Sequence, residues 1–222
     1  MKLEGLKINL LGDSITTTGG VSSDDKVYHA ILKAEAGLKE AVNYGIGGTR
    51  IALYKGKLGG SKDDCSDVNS FCERFDKMDD DADVVIVFGG TNDWGRGDAP
   101  LGSFSDRTPD TFYGACHYLF RGLIKKYIGK TIVIMTPLHR VMETANLDYT
   151  NTGECKTLKR YVEIIREVAE YYALPVLDLY ATSGLQPDIP EIRERYMPDG
   201  LHPNDAGHEV IACKLKRFLE SI

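Results

Sequence analysis

Four short segments of this chain hold residue types that can transfer an acyl group. Gly12-Asp13-Ser14 offers a hydroxyl and Gly45-Ile46-Gly47-Gly48 a glycine-rich backbone. Gly90-Thr91-Asn92-Asp93 adds an amide, and Asp199-Gly200-Leu201-His202 places a carboxylate and an imidazole three residues apart. A hydroxyl is a weak nucleophile. It must lose its proton to a base as it attacks, and an imidazole accepts that proton near neutral pH. A carboxylate on the other ring nitrogen holds the imidazole in one tautomer. The tetrahedral oxyanion then needs preorganised donors, which backbone N–H groups beside glycine and a side-chain amide supply.

Such residues act together only if the surrounding elements bring them to one place. Short apolar runs at 8–11, 41–44, 84–88, 131–135 and 175–179 read as strands. Runs apolar on both faces suit a parallel sheet covered by helices on each side. Helical stretches are expected at 28–37, 66–78, 110–127, 157–172 and 205–220. In the fourth, Leu158, Tyr161, Val162, Ile165, Val168, Ala169 and Tyr172 recur at three- and four-residue steps, one apolar face. The last is capped by Asn204, with Val210, Ile211, Leu215, Phe218 and Leu219 inward. This alternation predicts an α/β fold built on a mostly parallel sheet of about five strands. Ligands of such sheets bind beyond the carboxyl ends of the strands. Ser14, the Gly45–Gly48 segment and Asn92 directly follow strands one, two and three. The polar, glycine-rich stretch 55–70 is expected to be a long loop beside that rim.

Size and charge narrow the function classes. The 222 residues fit one domain, 1–222, long enough to bury a continuous core. With 27 Lys+Arg against 33 Asp+Glu the net charge is −6, and no basic run occurs, which argues against a nucleic-acid partner. The strongest apolar run, residues 84–88, falls far short of the roughly 18 needed to cross a bilayer. No signal-peptide core follows Met1, so a cytoplasmic protein without membrane insertion is expected, although a trimmed secreted chain would read the same. Cys65, Cys72, Cys116, Cys155 and Cys213 form no C-x-x-C pair, so neither a zinc ribbon nor a complete disulfide framework is expected. Asp79-Asp80-Asp81 with Asp83 lacks the spacing of a calcium loop and reads as a solvated turn. Gly59-Gly60-Ser61-Lys62 lacks Walker spacing.

The four ordered segments resemble the blocks of the SGNH/GDSL hydrolase family. The first block stands here as Gly12-Asp13-Ser14 and the second as Asn43-Tyr44-Gly45-Ile46-Gly47-Gly48. The third is Gly90-Thr91-Asn92-Asp93 and the last Asp199-Gly200-Leu201-His202; together they span nearly the whole chain. The resemblance implies a three-layer α/β/α sandwich with a flavodoxin-like sheet. It implies Ser14 as nucleophile, His202 as base and Asp199 as its orienting partner, with no metal or organic cofactor. The oxyanion hole would be the backbone N–H of Ser14, the backbone N–H of Gly48 and the Asn92 amide, with Gly47 the alternative to Gly48. Gly12-x-Ser14-x-Thr16 departs from G-x-S-x-G and so from the α/β-hydrolase elbow.

Plainer readings stand beside these. Ser14 could be only the N-cap of the next segment, and Asn92 could close a turn with Asp93. Asp199 could be a turn former beside Gly200. Asp13 and Asp93 are expected to bond the backbone of their own loops. Trp94 either stacks on a substrate or packs its loop. His139, after strand four, either contacts substrate or is an exposed loop residue. His208 is expected to be structural. The expected reaction is serine ester hydrolysis of a short acyl group, acetyl, on a carbohydrate or other polar alcohol. The alternatives are a lysophospholipase or thioesterase acting on longer chains, and a catalytically silent carbohydrate-binding protein.

Overall fold

A computed structural model of the chain describes residues 1–53, 70–96, 98–148 and 152–222. In chain order the elements are β1 (Lys7–Gly12), α1 (Ser14–Thr17), α2 (Tyr28–Ala36), β2 (Glu40–Gly45), α3 (Phe71–Arg74), β3 (Val84–Phe88) and α4 (Thr91–Arg96). There follow α5 (Phe112–Lys126), β4 (Thr131–Met135), α6 (Leu158–Tyr171), β5 (Val176–Leu177), α7 (Leu179–Thr182), α8 (Pro190–Tyr196) and α9 (Asp205–Ser221). The five strands form one sheet in the order β2-β1-β3-β4-β5. Every pairing is parallel. This is the flavodoxin-like doubly wound order.

Alternation along each strand divides the core in two. Leu11, Val85, Val87, Ile132 and Ile134 face α3, α5 and α6, burying Phe71, Phe112, Leu119, Phe120, Tyr161 and Ile165. Ile8, Leu10, Val84, Ile86, Phe88, Val133 and Met135 face α2 and α9, burying Tyr28, Leu32, Ile211, Leu215 and Leu219. β1 and β3 are buried along their whole length because they lie inside the sheet, whereas β2, at its edge, is half-covered. Among the described residues no helix is long and apolar enough to cross a membrane.

Several boundaries differ from those expected. The fifth strand is only two residues long, because Asp178 caps α7 by accepting Ala181 N at 3.1 Å and so starts a helix where a strand would continue. The helix expected at 66–78 is reduced, from residue 70 on, to α3 and a following 3₁₀ turn. Residues 55–69 of the loop expected at 55–70, which include Cys65, Gly59–Lys62 and residues 66–69 of the expected helix, lie outside the described residues. The Asn204 cap is present, its Oδ1 accepting Gly207 N at 3.1 Å. Asp79, Asp80, Asp81 and Asp83 sit at the amino ends of the strands and meet Lys7, Lys126 and Lys130, a lysine-paired turn.

Candidate active site

The first strand ends at Gly12, where a Cβ would lie 1.9 Å from Thr16 Oγ1, so only glycine lets the chain turn directly into α1. Asp13, not Ser14, caps that helix: its Oδ1 accepts Ile15 N at 3.1 Å. Ser14 is therefore the first helical residue and its hydroxyl is free of capping work. That hydroxyl stands 3.0 Å from Nε2 of His202. On the other side of the ring, Nδ1 donates to Asp199 Oδ2 at 2.7 Å. Asp199 Oδ1 accepts Leu201 N at 2.8 Å and His202 N at 2.7 Å, which locks the 199–202 turn around the carboxylate. Burial pushes the Asp199 carboxyl up, but the ring and backbone hydrogen bonds outweigh it and hold the group below the ordinary carboxylate range. The charged form beside the imidazole is thus favoured.

The loop after β2 closes the other side. Ile46 N donates to Gly12 O at 3.1 Å, tying the loop to the strand that carries Ser14. A Cβ built on Gly47 would meet Ser14 Cβ at 3.9 Å, and Gly48, at φ +75°, turns the chain beside Arg96. Asn92 lies in the first turn of α4, not in an open turn, and its Nδ2 donates to Thr49 O at 3.0 Å. One N–H of the amide is spent on that bond, which fixes its orientation and leaves the second. As the first residue of its helix, Ser14 also has a backbone N–H without an intrahelical acceptor. The sequence-predicted residues Ser14, Asp199 and His202 are therefore brought into one hydrogen-bonded chain. Gly47 lies against Ser14, and Asn92 is tied to the same loop through Thr49 O.

Other residues take different places. Trp94 is 2% exposed, donates Nε1–H to Ala145 O at 3.3 Å and carries the Arg140 guanidinium 4.7 Å from its ring centre. Its faces are used in packing, so it is no platform for a substrate. Asp93 bonds not its own loop but the one after β2, accepting Ile51 N and Ala52 N at 3.0 Å each. His208 is fully buried; Tyr28 N donates to its Nδ1 at 3.1 Å and its Nε2 is 3.2 Å from Gly19 O. Burial pulls its pKa down to about 4, so it is a neutral structural residue. His139 is half-buried rather than an exposed loop residue: Nδ1 lies 2.7 Å from Glu143 Oε1 and the ring packs on Tyr180 at 3.9 Å. It lines a cavity of about 10 Å³ together with Asp13, Thr91 and Leu201, each the neighbour of a site residue.

Three supports were not visible in the sequence. Arg74, almost fully buried, donates to Tyr44 O, to Gly12 O at 2.7 Å and to Thr49 Oγ1 at 3.1 Å, joining both loops that flank Ser14. Gly19 and Gly20 back the imidazole: a Cβ on Gly19 would lie 2.8 Å from His202 Cδ2, and one on Gly20 2.1 Å from Pro203 O. The loop after β4 props the 199–202 turn, with Val141 N donating to Gly200 O at 3.0 Å and the Val141 side chain filling the space a Cβ on Gly200 would need. The Gly19-Gly20 pair five residues after Ser14 was the one available signal.

Burial raises the Asp13 carboxyl to about 7, against the pull of Ile15 N and of the His202 and Arg74 charges. Between the unfolded carboxylate value of about 4 and that of the native state, the folded chain keeps a proton the unfolded chain has lost. This contribution to stability is therefore complete below about pH 4 and lost as the pH rises through about 7. Asparagine at this position still accepts from Ile15 N. We predict that the Tm of Asp13→Asn, relative to the parent, rises between pH 4 and 7 and then levels off. Thermal melts at unit pH steps check this; a difference that does not change with pH would refute it.

The model of the GDSL-like lipase/acylhydrolase family matches residues 10–210. The chain belongs to that family. A solved structure from Lactobacillus plantarum is 33% identical, with a TM-score of 0.81, covering 99% of this chain and 98% of its own. A Bacteroides ovatus protein, provisionally described as a GDSL-like lipase, has the same fold at 22% identity and a TM-score of 0.68, covering 99% of this chain and 100% of its own. So does an acetyl xylan esterase at 21% identity and a TM-score of 0.62, covering 95% of this chain and 98% of its own. No protein of curated function matches the sequence. All four motif blocks of this acylhydrolase-family chain fall within the matched span.

Proposed function

We propose that the protein is a serine ester hydrolase working through an acyl-enzyme, with a short acyl group, acetyl foremost, on a carbohydrate or other polar alcohol as its substrate. The observation that carries this reading is the unbroken chain from Asp199 through His202 to Ser14, at 2.7 and 3.0 Å. Because Nδ1–H is engaged by Asp199, Nε2 presents its lone pair to the serine hydroxyl. As Ser14 Oγ attacks the carbonyl carbon, its proton passes to Nε2, and the imidazolium is steadied by Asp199. The oxyanion is received by the N–H groups of Ser14 and Gly48, with Gly47 as the neighbouring alternative, and by the free N–H of Asn92. His202 then returns the proton to the leaving alkoxide, and water repeats the cycle to free the acid.

Support for a polar alcohol comes from the rim, where Arg96 lies beside Gly48 and His139 follows β4. The named acetyl xylan esterase of the same fold is in keeping with it. On the side of a longer acyl chain are Ile46 and Met142, 41% and 71% exposed on the two loops bordering the site. A panel of nitrophenyl esters from acetate to palmitate, with acetylated xylan, separates the two. Highest kcat/KM on acetate and release of acetate from xylan are expected. A maximum on long chains would reverse the substrate assignment in favour of a lysophospholipase or thioesterase.

The amide of Asn92 carries a prediction of its own. Asn92→Ala should lower kcat on nitrophenyl acetate by roughly 10²- to 10³-fold with little change in KM, the effect of removing one oxyanion donor. A loss below about threefold in kcat would take Asn92 out of the oxyanion hole.

A further inference from the structure

The outer face of α5 carries a groove of about 280 Å³. Its carboxy-terminal half lies toward the amino ends of the strands, since Lys126 reaches Asp76 O and Asp80 there, whereas Ser14 follows the carboxyl end of β1. Three cations line it: Arg107 from the loop before the helix, and Arg121 and Lys125 one turn apart on the helix itself. Several lysines elsewhere on this acidic chain are matched to carboxylates, Lys7, Lys126 and Lys130 among them. Among the described residues Arg121 and Lys125 meet none, and Arg107 donates to the carbonyls of Phe104 at 2.6 Å and Asp106 at 2.8 Å. The nearby carboxylates are committed: Asp106 to Ser103 and Thr111, Glu167 to the Tyr113 hydroxyl. Three cations lining one groove favour an anionic ligand over a neutral or cationic one.

The uncharged part of the groove is specific in shape. Gly122 forms its floor, because a Cβ there would lie 2.4 Å from Phe75 Cζ; the glycine is what lets the Phe75 ring lie across the helix. Tyr118, 44% exposed, meets Phe75 edge to face at 6.2 Å and lines the groove. Behind them His117 is fully buried, its Nδ1 3.2 Å from the Tyr172 hydroxyl and its Nε2 without a hydrogen-bond partner. A buried polar atom without a partner is uncommon in a finished interior. Guanidinium groups suit the oxygens of a phosphate, and an aromatic ring suits the apolar face of a sugar ring. The volume is near the lower end of small-ligand sites.

We propose that this groove is a binding site for a small phosphorylated sugar, separate from the ester-hydrolysing site. Isothermal titration of the whole protein with glucose 6-phosphate, glucose and inorganic phosphate tests it, beside the double variant Arg121→Ala, Lys125→Ala. Saturable binding of glucose 6-phosphate is expected, with none of glucose and binding of inorganic phosphate at least roughly fivefold weaker. The double variant should weaken binding by roughly tenfold or more while its Tm and its hydrolysis of nitrophenyl acetate stay unchanged. Three results would each overturn the proposal: no saturable binding up to about 10 mM, equal affinity for inorganic phosphate, or undiminished binding by the double variant.

Discussion

Asp199→Asn should reduce kcat on nitrophenyl acetate by about 10³- to 10⁴-fold while leaving KM within a few-fold and the fold intact. Asparagine keeps an oxygen in the place of Asp199 Oδ1, so the bonds from Leu201 N and His202 N, which shape the turn, survive. The change falls on the second atom. An amide N–H facing His202 would donate to Nδ1, moving the ring proton to Nε2, where it points at Ser14 Oγ instead of a lone pair. Removal of the carboxylate also leaves the imidazolium of the transition state without its counter-charge. Stopped-flow and steady-state kinetics check the prediction, together with a Tm close to that of the parent. A loss of less than about tenfold would mean that Asp199 shapes the turn and does no more.

The second large effect is expected at Arg74, a residue that touches neither Ser14 nor His202. Its guanidinium satisfies the carbonyls of Gly12 and Tyr44 and the Thr49 hydroxyl at the carboxyl ends of β1 and β2. Burial pulls its pKa down to about 10, partly offset by the nearby Asp13 carboxylate, so it is still charged at neutral pH. Arg74→Ala removes the cation and the three bonds it donates; Gly12 O keeps only Ile46 N, and the Tyr44 carbonyl and Thr49 hydroxyl lose this donor, at a cost of about 2–4 kcal/mol. For a chain of this size that is a Tm lower by roughly 5–15 °C. Because the same bonds tie the strand end that leads into Ser14 to the loop after β2, kcat should also fall, by about 10-fold or more. A melt and a kinetic run on the same sample decide it. A variant with unchanged Tm would show that the three bonds contribute little.

How far the sequence carried these conclusions depends on where each residue does its work. Strands apolar on both faces, such as 84–88, announce a covered parallel sheet, and motifs placed just after them announce a rim; both readings rest on neighbours in sequence. Asn204 as a cap and the apolar face of α6 are legible for the same reason. Arg74 was not. An arginine in a short helix looks like any surface cation until tertiary packing buries it against two strand ends. Glu143 is similar, since its hydrogen bond to His139 only has meaning once β4 delivers that ring to the site. Asp93 reads as bonding its own loop, and Trp94 as stacking on a substrate or packing its loop, because sequence shows only local neighbours, while their partners are some 40 to 50 residues away, at Ile51, Ala52 and Ala145. Helices as short as α1, α4 and α7 span too few residues for a 3.6-residue period to appear.

Trapping a covalent adduct tests most directly whether Ser14 becomes acylated. The protein is treated with a fluorophosphonate, digested and mapped by mass spectrometry, with residual nitrophenyl acetate hydrolysis followed in parallel. One phosphonyl group on the peptide bearing Ser14, accumulating in step with the loss of activity and absent from Ser14→Ala, is the result this account predicts. Full inactivation with Ser14 unmodified, or undiminished hydrolysis by Ser14→Ala, would contradict it.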